Sequence, residues 1–200
     1  GSLLGYECKQ QVDIVLQNPY RILGVYANSR RQEILANKNR ATAFLNVNRP
    51  VGYPLDLNGI LTAPNRSLDL MNEAEAHLAI AKEQIKYTQF WFLKMTPLDD
   101  IAFNHLLAGN MAGAIEIWSK QESLSSLQNK LVCYFIENKL ELAIKTAEKL
   151  YEKFGNDYIS KVDANCTLQM TATDLLHQFV NSLGEEIGMQ KLLDFDLGAE

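Results

Sequence analysis

Three cysteines, three histidines, five prolines and eleven glycines are few for 200 residues, and each shortage closes off a class of protein. Cys8, Cys133 and Cys166 are odd in number and far apart, which argues against a disulfide framework and against a Cys-x-x-Cys metal site. Free thiols in a reducing, cytoplasmic setting are the expectation. So little proline and glycine speaks for an ordered chain. No stretch reaches the roughly 18 uninterrupted apolar residues that cross a bilayer, so membrane insertion is not expected. Positive charge is not in excess either. A net charge of −5 repels a phosphate backbone on average, which makes nucleic acid an unexpected partner.

What is present is a 47% hydrophobic composition, enough for a core in one domain or two small ones, with apolar residues recurring at spacings of three and four. The fold class this predicts is all-α. Tyr6 to Gln17 reads as a short leading helix that Asn18-Pro19 stops, because proline disfavours the helical conformation before it. Ser29 is placed to cap the next helix, with Gln32 as its capping-box partner and Ile34, Ala41, Phe44 and Leu45 as the inner face. From Asn46 to Arg66 the periodicity stops while Pro50, Gly52, Pro54, Gly59 and Pro64 arrive, which marks a long loop. Tyr53, Leu55, Leu57, Ile60 and Leu61 make this loop apolar enough to pack back on the domain.

Ser67 is then expected to cap one long helix with an inner stripe of Met71, Ala74, Leu78, Ala81, Ile85 and Phe92. Tyr87, Phe90, Trp91 and Phe92 at its end form an aromatic anchor. Thr96-Pro97-Leu98-Asp99 is a strong helix start, with Thr as N-cap, Pro at the first position and acidic groups at the positive end of the dipole.

The run Asn18-Pro19-Tyr20-Arg21-Ile22-Leu23-Gly24-Val25, followed by a basic helix, resembles the entrance to a J-domain. In J-domain co-chaperones such a segment packs under two antiparallel helices, and a His-Pro-Asp tripeptide between them triggers ATP hydrolysis by an Hsp70. The resemblance covers about residues 17–95. It implies structural roles for Pro19, Tyr20, Leu23 and Gly24, a helical hairpin around the 46–66 loop, and docking on an acidic Hsp70 surface through Arg30, Arg31, Lys38 and Arg40. The tripeptide is absent: none of His77, His105 and His177 precedes a proline. A degenerate J-like half of this kind is not expected to stimulate an Hsp70 by the usual mechanism.

Further on, Leu106, Gly109, Ala114, Ile115 and Trp118 map onto Phe135, Asn138, Ala143, Ile144 and Ala147 after a shift of 29 positions. Each unit reads helix, tight turn, helix, with Gly109 and Asn138 at the turns and Ala114 and Ala143 where paired helices approach. The pattern resembles the tetratricopeptide repeat and implies antiparallel helix pairs over a stretch of about 97 to 155. Leu175, Leu176, Phe179, Val180 and Leu183 supply a further amphipathic segment, and Asp194-Phe195-Asp196-Leu197 leaves room for another repeat. The organisation expected is a leader with a short helix over 1–16, a J-like domain over 17–95 and a repeat-like helical domain over 96–200.

Catalysis needs a nucleophile with a base, a carboxylate pair or a metal cluster, and no motif of the kinds that announce these is present. His77 falls on the same side of its helix as Leu70 and Trp91, so packing is its expected role. No cofactor is called for. The function expected is noncatalytic: an adaptor or scaffold that binds a protein or peptide. An Hsp70-docking chaperone regulator is the first alternative, with binding that weakens with salt. A helical enzyme with a polar pocket beside the 46–66 loop is the second.

Overall fold

The computed structural model describes residues 13–188, and every regular element within them is helical, with no strand. The start of the leading helix, Cys8 and the segment from Leu193 to Leu197 lie outside the described residues. The first elements are α1 (Asp13–Leu16) and α2 (Pro19–Ile22), divided where Asn18-Pro19 forbids continuation. Asn18 caps α2, its Oδ1 accepting the Tyr20 N–H at 3.0 Å. Tyr20, Ile22 and Leu23 are fully buried.

Gly24 closes this segment at φ +71°, a left-handed conformation that L side chains rarely adopt. A Cβ there would stand 2.3 Å from the Tyr53 ring, which is pinned by its hydroxyl donating to the Asn37 carbonyl at 2.8 Å. Gly24→Ala is therefore expected to cost about 2–4 kcal/mol, from backbone strain plus overpacking. Chemical denaturation measures this; an unshifted midpoint would contradict the packing described.

α3 (Arg31–Asn46) does not start from a Ser29 cap. Ser29 Oγ instead accepts the Tyr26 N–H at 2.9 Å, closing the preceding turn, and Arg30 occupies the N-cap position with no side-chain bond. Ala41 alone in α3 is fully buried; Ile34, Phe44 and Leu45 are half-buried. The chain from 47 to 67 then folds back on the core, with a 3-10 turn at Pro54–Asp56 and Tyr53, Leu55, Leu57 and Leu61 buried.

The long helix expected after Ser67 is two helices. α4 (Leu68–Leu78) keeps its Ser67 cap, and α5 (Ala81–Thr88) follows a break at Ala79-Ile80, where Ile80 is extended. Both helices pack against the short α2, and one straight rod could not wrap around it. Phe92 of the expected stripe lies beyond α5, in the segment leading to α6 (Pro97–Leu107). Thr96 and Asp99 form a full capping box on α6, and Asp99 is also buried against Trp118, accepting the indole N–H at 2.8 Å.

α7 (Met111–Trp118), α8 (Leu124–Ile136) and α9 (Leu140–Phe154) complete two helix pairs with matching turns. Gly109 (φ +82°) and Asn138 (φ +61°) both follow their helices in the left-handed conformation. At the first turn the Asn110 N–H bonds the His105 carbonyl, and at the second the Lys139 N–H bonds the Tyr134 carbonyl, each at 2.8 Å. This is the Schellman closure, and it explains why glycine and asparagine occupy equivalent positions. Ala114 and Ala143 are fully buried where the paired helices meet. A 3-10 turn at Gly155–Asp157, α10 (Tyr158–Val162) and α11 (Ala172–Ile187) end the described chain.

The segment 88–94 joins the two halves and runs through the middle of the molecule. Phe90 stacks on Phe179 of α11 and meets Phe135 of α8, while Phe92 meets Phe103 and Trp118. Past Thr88 its backbone leaves the helix, so polar groups that lack a backbone partner need side-chain ones. Asn129 supplies both for Leu93, donating to its carbonyl and accepting its N–H at 2.8 Å each, and Gln128 donates to the carbonyls of Thr88 and Trp91. The two halves share one hydrophobic core.

Candidate functional site

Three features could carry function: the helix pairs, the long loop, and the surface where α3 begins. In the helix pairs, α8 is buried on nearly all sides, and its polar amides Gln128 and Asn129 hold the chain's own 88–94 segment. That side of the helix pair is filled from within.

The loop is tied down by charges that sequence reasoning passed over. Asp56 and Arg66 form a bidentate ion pair at 2.5 and 2.8 Å, both under a tenth exposed. Arg66 also donates to the carbonyls of Ile22 and Arg21, at 2.7 and 3.0 Å. Arg21, fully buried, donates to the carbonyls of Leu16, Asp56 and Thr62. Burial pulls the Arg21 guanidinium down to about 10; Asp56 opposes that effect and Arg66 adds to it. An arginine flanked by the apolar residues of the entrance run was the available signal of a buried charge. The polar groups of this loop thus bond one another inside the protein.

The third feature is a cleft of about 660 Å³ between the start of α3, the α4–α5 junction and the segment after α10. Arg30 and Arg31 are exposed along it, and neither has a carboxylate partner among the described residues. Both sit at the positive end of the α3 dipole, where cations are disfavoured. Leu35, more than a third exposed, and Leu78 give the cleft an apolar side. Of its two carboxylates, Glu75 is taken by Lys38 at 2.7 Å. Asp163 is taken by Gln84 Nε2 and the Asn165 N–H, each at 2.9 Å.

The four cations expected to dock a partner are thus divided. Arg30 and Arg31 line the cleft, Lys38 is paired beside it, and Arg40 lies 5.1 Å over the Phe44 ring and 5.9 Å over Tyr53, on the loop side. Leu35, Leu78, Gln84 and Asp163 are site residues that sequence spacing did not bring together, since they come from three separate segments.

Tyr20 lies at the bottom of the cleft, with its hydroxyl 3.1 Å from Thr88 Oγ1. Burial raises it to about 12, with the Thr88 and Gln84 bonds opposing. Tyr26 is also raised to about 12, and Tyr151 and Tyr158 are raised by complete burial. A tyrosine near 10 when unfolded and higher when folded contributes stability below pH 10 that is lost as pH rises through the folded value. Arg21 and Lys130, both lowered by burial, act in the opposite sense, but the raised tyrosines, Tyr53 and Tyr87 among them, outnumber these two. Stability should therefore fall between pH 10 and 12, with Tyr20 alone accounting for about 2–3 kcal/mol. The part of the tyrosinate absorbance that a Tyr20→Phe variant lacks should rise together with unfolding; its rise near pH 10 in a folded chain would contradict this.

A second groove of about 700 Å³ runs between α5 and α11, with Ile80, Leu168 and Met170 against Lys86 and Glu185. Among histidines, His77 lies 3.3 Å from Glu83 with its ring against Tyr87, both side chains partly exposed. Among the described residues no three ligating side chains gather around a common point, and no helix is long and apolar enough to cross a membrane. No protein-family model, curated protein or solved structure matches the chain.

Proposed function

We propose that this protein is a noncatalytic interaction module, an adaptor or scaffold of the cytoplasm, whose docking surface is the cleft at the start of α3. The single observation that carries the reading is the pair of arginines with no carboxylate partner among the described residues, beside exposed Leu35 in a concave surface built by both halves. Free charge beside accessible apolar area suits a protein or peptide partner: the charges steer and orient, the apolar group supplies affinity. The repeat-like helix pairs, resembling tetratricopeptide units, act in this reading as the support that closes one wall of the cleft. The J-like half is a degenerate scaffold with no group to trigger ATP hydrolysis.

The test is affinity capture from native extract with the full chain and its Arg30→Glu/Arg31→Glu variant. A specific protein recovered by the parent and lost by the variant is the expected result. Equal recovery by both would move docking elsewhere. Recovery of an Hsp70 would favour the chaperone-regulator reading, which the same two arginines serve. Lys38 is a poor probe of either, because Lys38→Glu would set a carboxylate against Glu75.

A further inference from the structure

The charge balance inside the cleft says what kind of partner it fits, an inference that rests on the interaction reading. Glu75 and Asp163 border the cleft with Arg30 and Arg31, yet neither forms an ion pair with them: Lys38 neutralises Glu75, and Asp163 keeps its charge while bonded to the Gln84 amide. With Lys38 counted beside Glu75, the cleft therefore keeps an excess of one positive charge, on a chain whose net charge is −5. A local inversion of sign of this kind, in a concavity with low-dielectric walls, focuses the field and selects anionic groups there while the rest of the surface repels them. Guanidinium groups bind carboxylates in fixed fork geometry. Beside them, Leu35 and Leu78 offer an apolar contact that a small inorganic anion would leave unused.

We propose that the cleft binds an acidic peptide segment bearing a bulky apolar side chain, with its carboxylates on Arg30 and Arg31 and its apolar group against Leu35 and Leu78. Three parts of the molecule must be in place for this: the start of α3, the end of α4, and the Asp163 wall that Gln84 holds from α5. The site thus belongs to the assembled fold and not to the α3 helix alone.

The probe is a short fluorescent peptide of glutamates around leucines, titrated against the full chain by anisotropy. Two further peptides accompany it, one with lysine for glutamate and one with serine for leucine. Binding of the first peptide should weaken about tenfold in Arg30→Glu/Arg31→Glu and fall steeply with salt, since two attractive contacts become repulsive. Lys120→Glu, an exposed change on the far α7–α8 turn, should leave it within about twofold. The lysine peptide should not bind, and the serine peptide should bind more weakly than the parent.

Equal weakening by both variants, equal binding of the lysine peptide, or no binding of the acidic peptide would each overturn the proposal. Thermal melts of the variants establish that each is folded. A captured cellular partner displaced by the lysine peptide and not by the acidic one would defeat this inference while leaving the interaction reading intact. Acidic-peptide binding with no protein partner captured at the cleft would do the reverse.

Discussion

Asp56→Ala is expected to lower the unfolding free energy by about 3–5 kcal/mol, the cost of leaving a buried charge without its partner. The structure makes the upper part of that range the expected one. Asp56 is the anion between two buried guanidinium groups, Arg66 in a bidentate pair and Arg21 on its backbone carbonyl. Without the carboxylate, Arg21 and Arg66 face each other in an apolar setting with only carbonyl dipoles as partners. The 47–67 segment would also lose its internal fastening, because Asp56 Oδ2 accepts the Tyr53 N–H at 3.1 Å. Against a typical domain stability of about 5–15 kcal/mol, this is a large fraction. Denaturant titration measures it, and a change below about 1 kcal/mol would show that the ion pair is not enclosed as described.

The second large effect belongs to Asn129. Asn129→Leu preserves much of the volume but strands the Leu93 N–H and carbonyl, both buried and with no other partner among the described residues. An unsatisfied buried polar group costs about 1–3 kcal/mol, so the pair should cost about 2–5 kcal/mol. A control is built into the molecule. Asn28 pairs with the N–H and carbonyl of Lys94 in the same two-way manner, at 3.0 and 2.8 Å, but in an exposed position where water can substitute. Asn28→Ala should therefore cost about 0.5–1 kcal/mol. If the two substitutions cost the same, burial of the 88–94 segment is not what gives Asn129 its importance.

The parts legible from sequence were those decided locally. Thr96 with Asp99, Ser67 with Leu70, and the turns at Gly109 and Asn138 each rest on residues within five positions of one another, and the chain carries them openly. The all-helical class followed from periodicity for the same reason. What escaped was decided by distant partners. Ser29 had the right spacing to cap α3, but the Tyr26 turn claims its oxygen. The stripe from Met71 to Phe92 kept helical spacing across a break that α2 imposes from outside. Gln128 and Asn129 interrupt an apolar helix at positions that spacing alone would leave to core side chains, and their partners are 36 to 40 residues away. At the candidate site Arg30 and Arg31 were legible as charge. Their separation from Lys38 and Arg40 required knowing where Glu75, Phe44 and Tyr53 lie.

The most direct test of the account places a photo-crosslinking amino acid at Leu35, inside the cleft, and separately at Leu142, an exposed apolar site on α9. Both chains are irradiated in native extract. A discrete protein adduct is expected from position 35, absent from position 142 and lost in the Arg30→Glu/Arg31→Glu background. The same adduct at both positions, or one at position 142 alone, would contradict the assignment of the cleft as the docking surface.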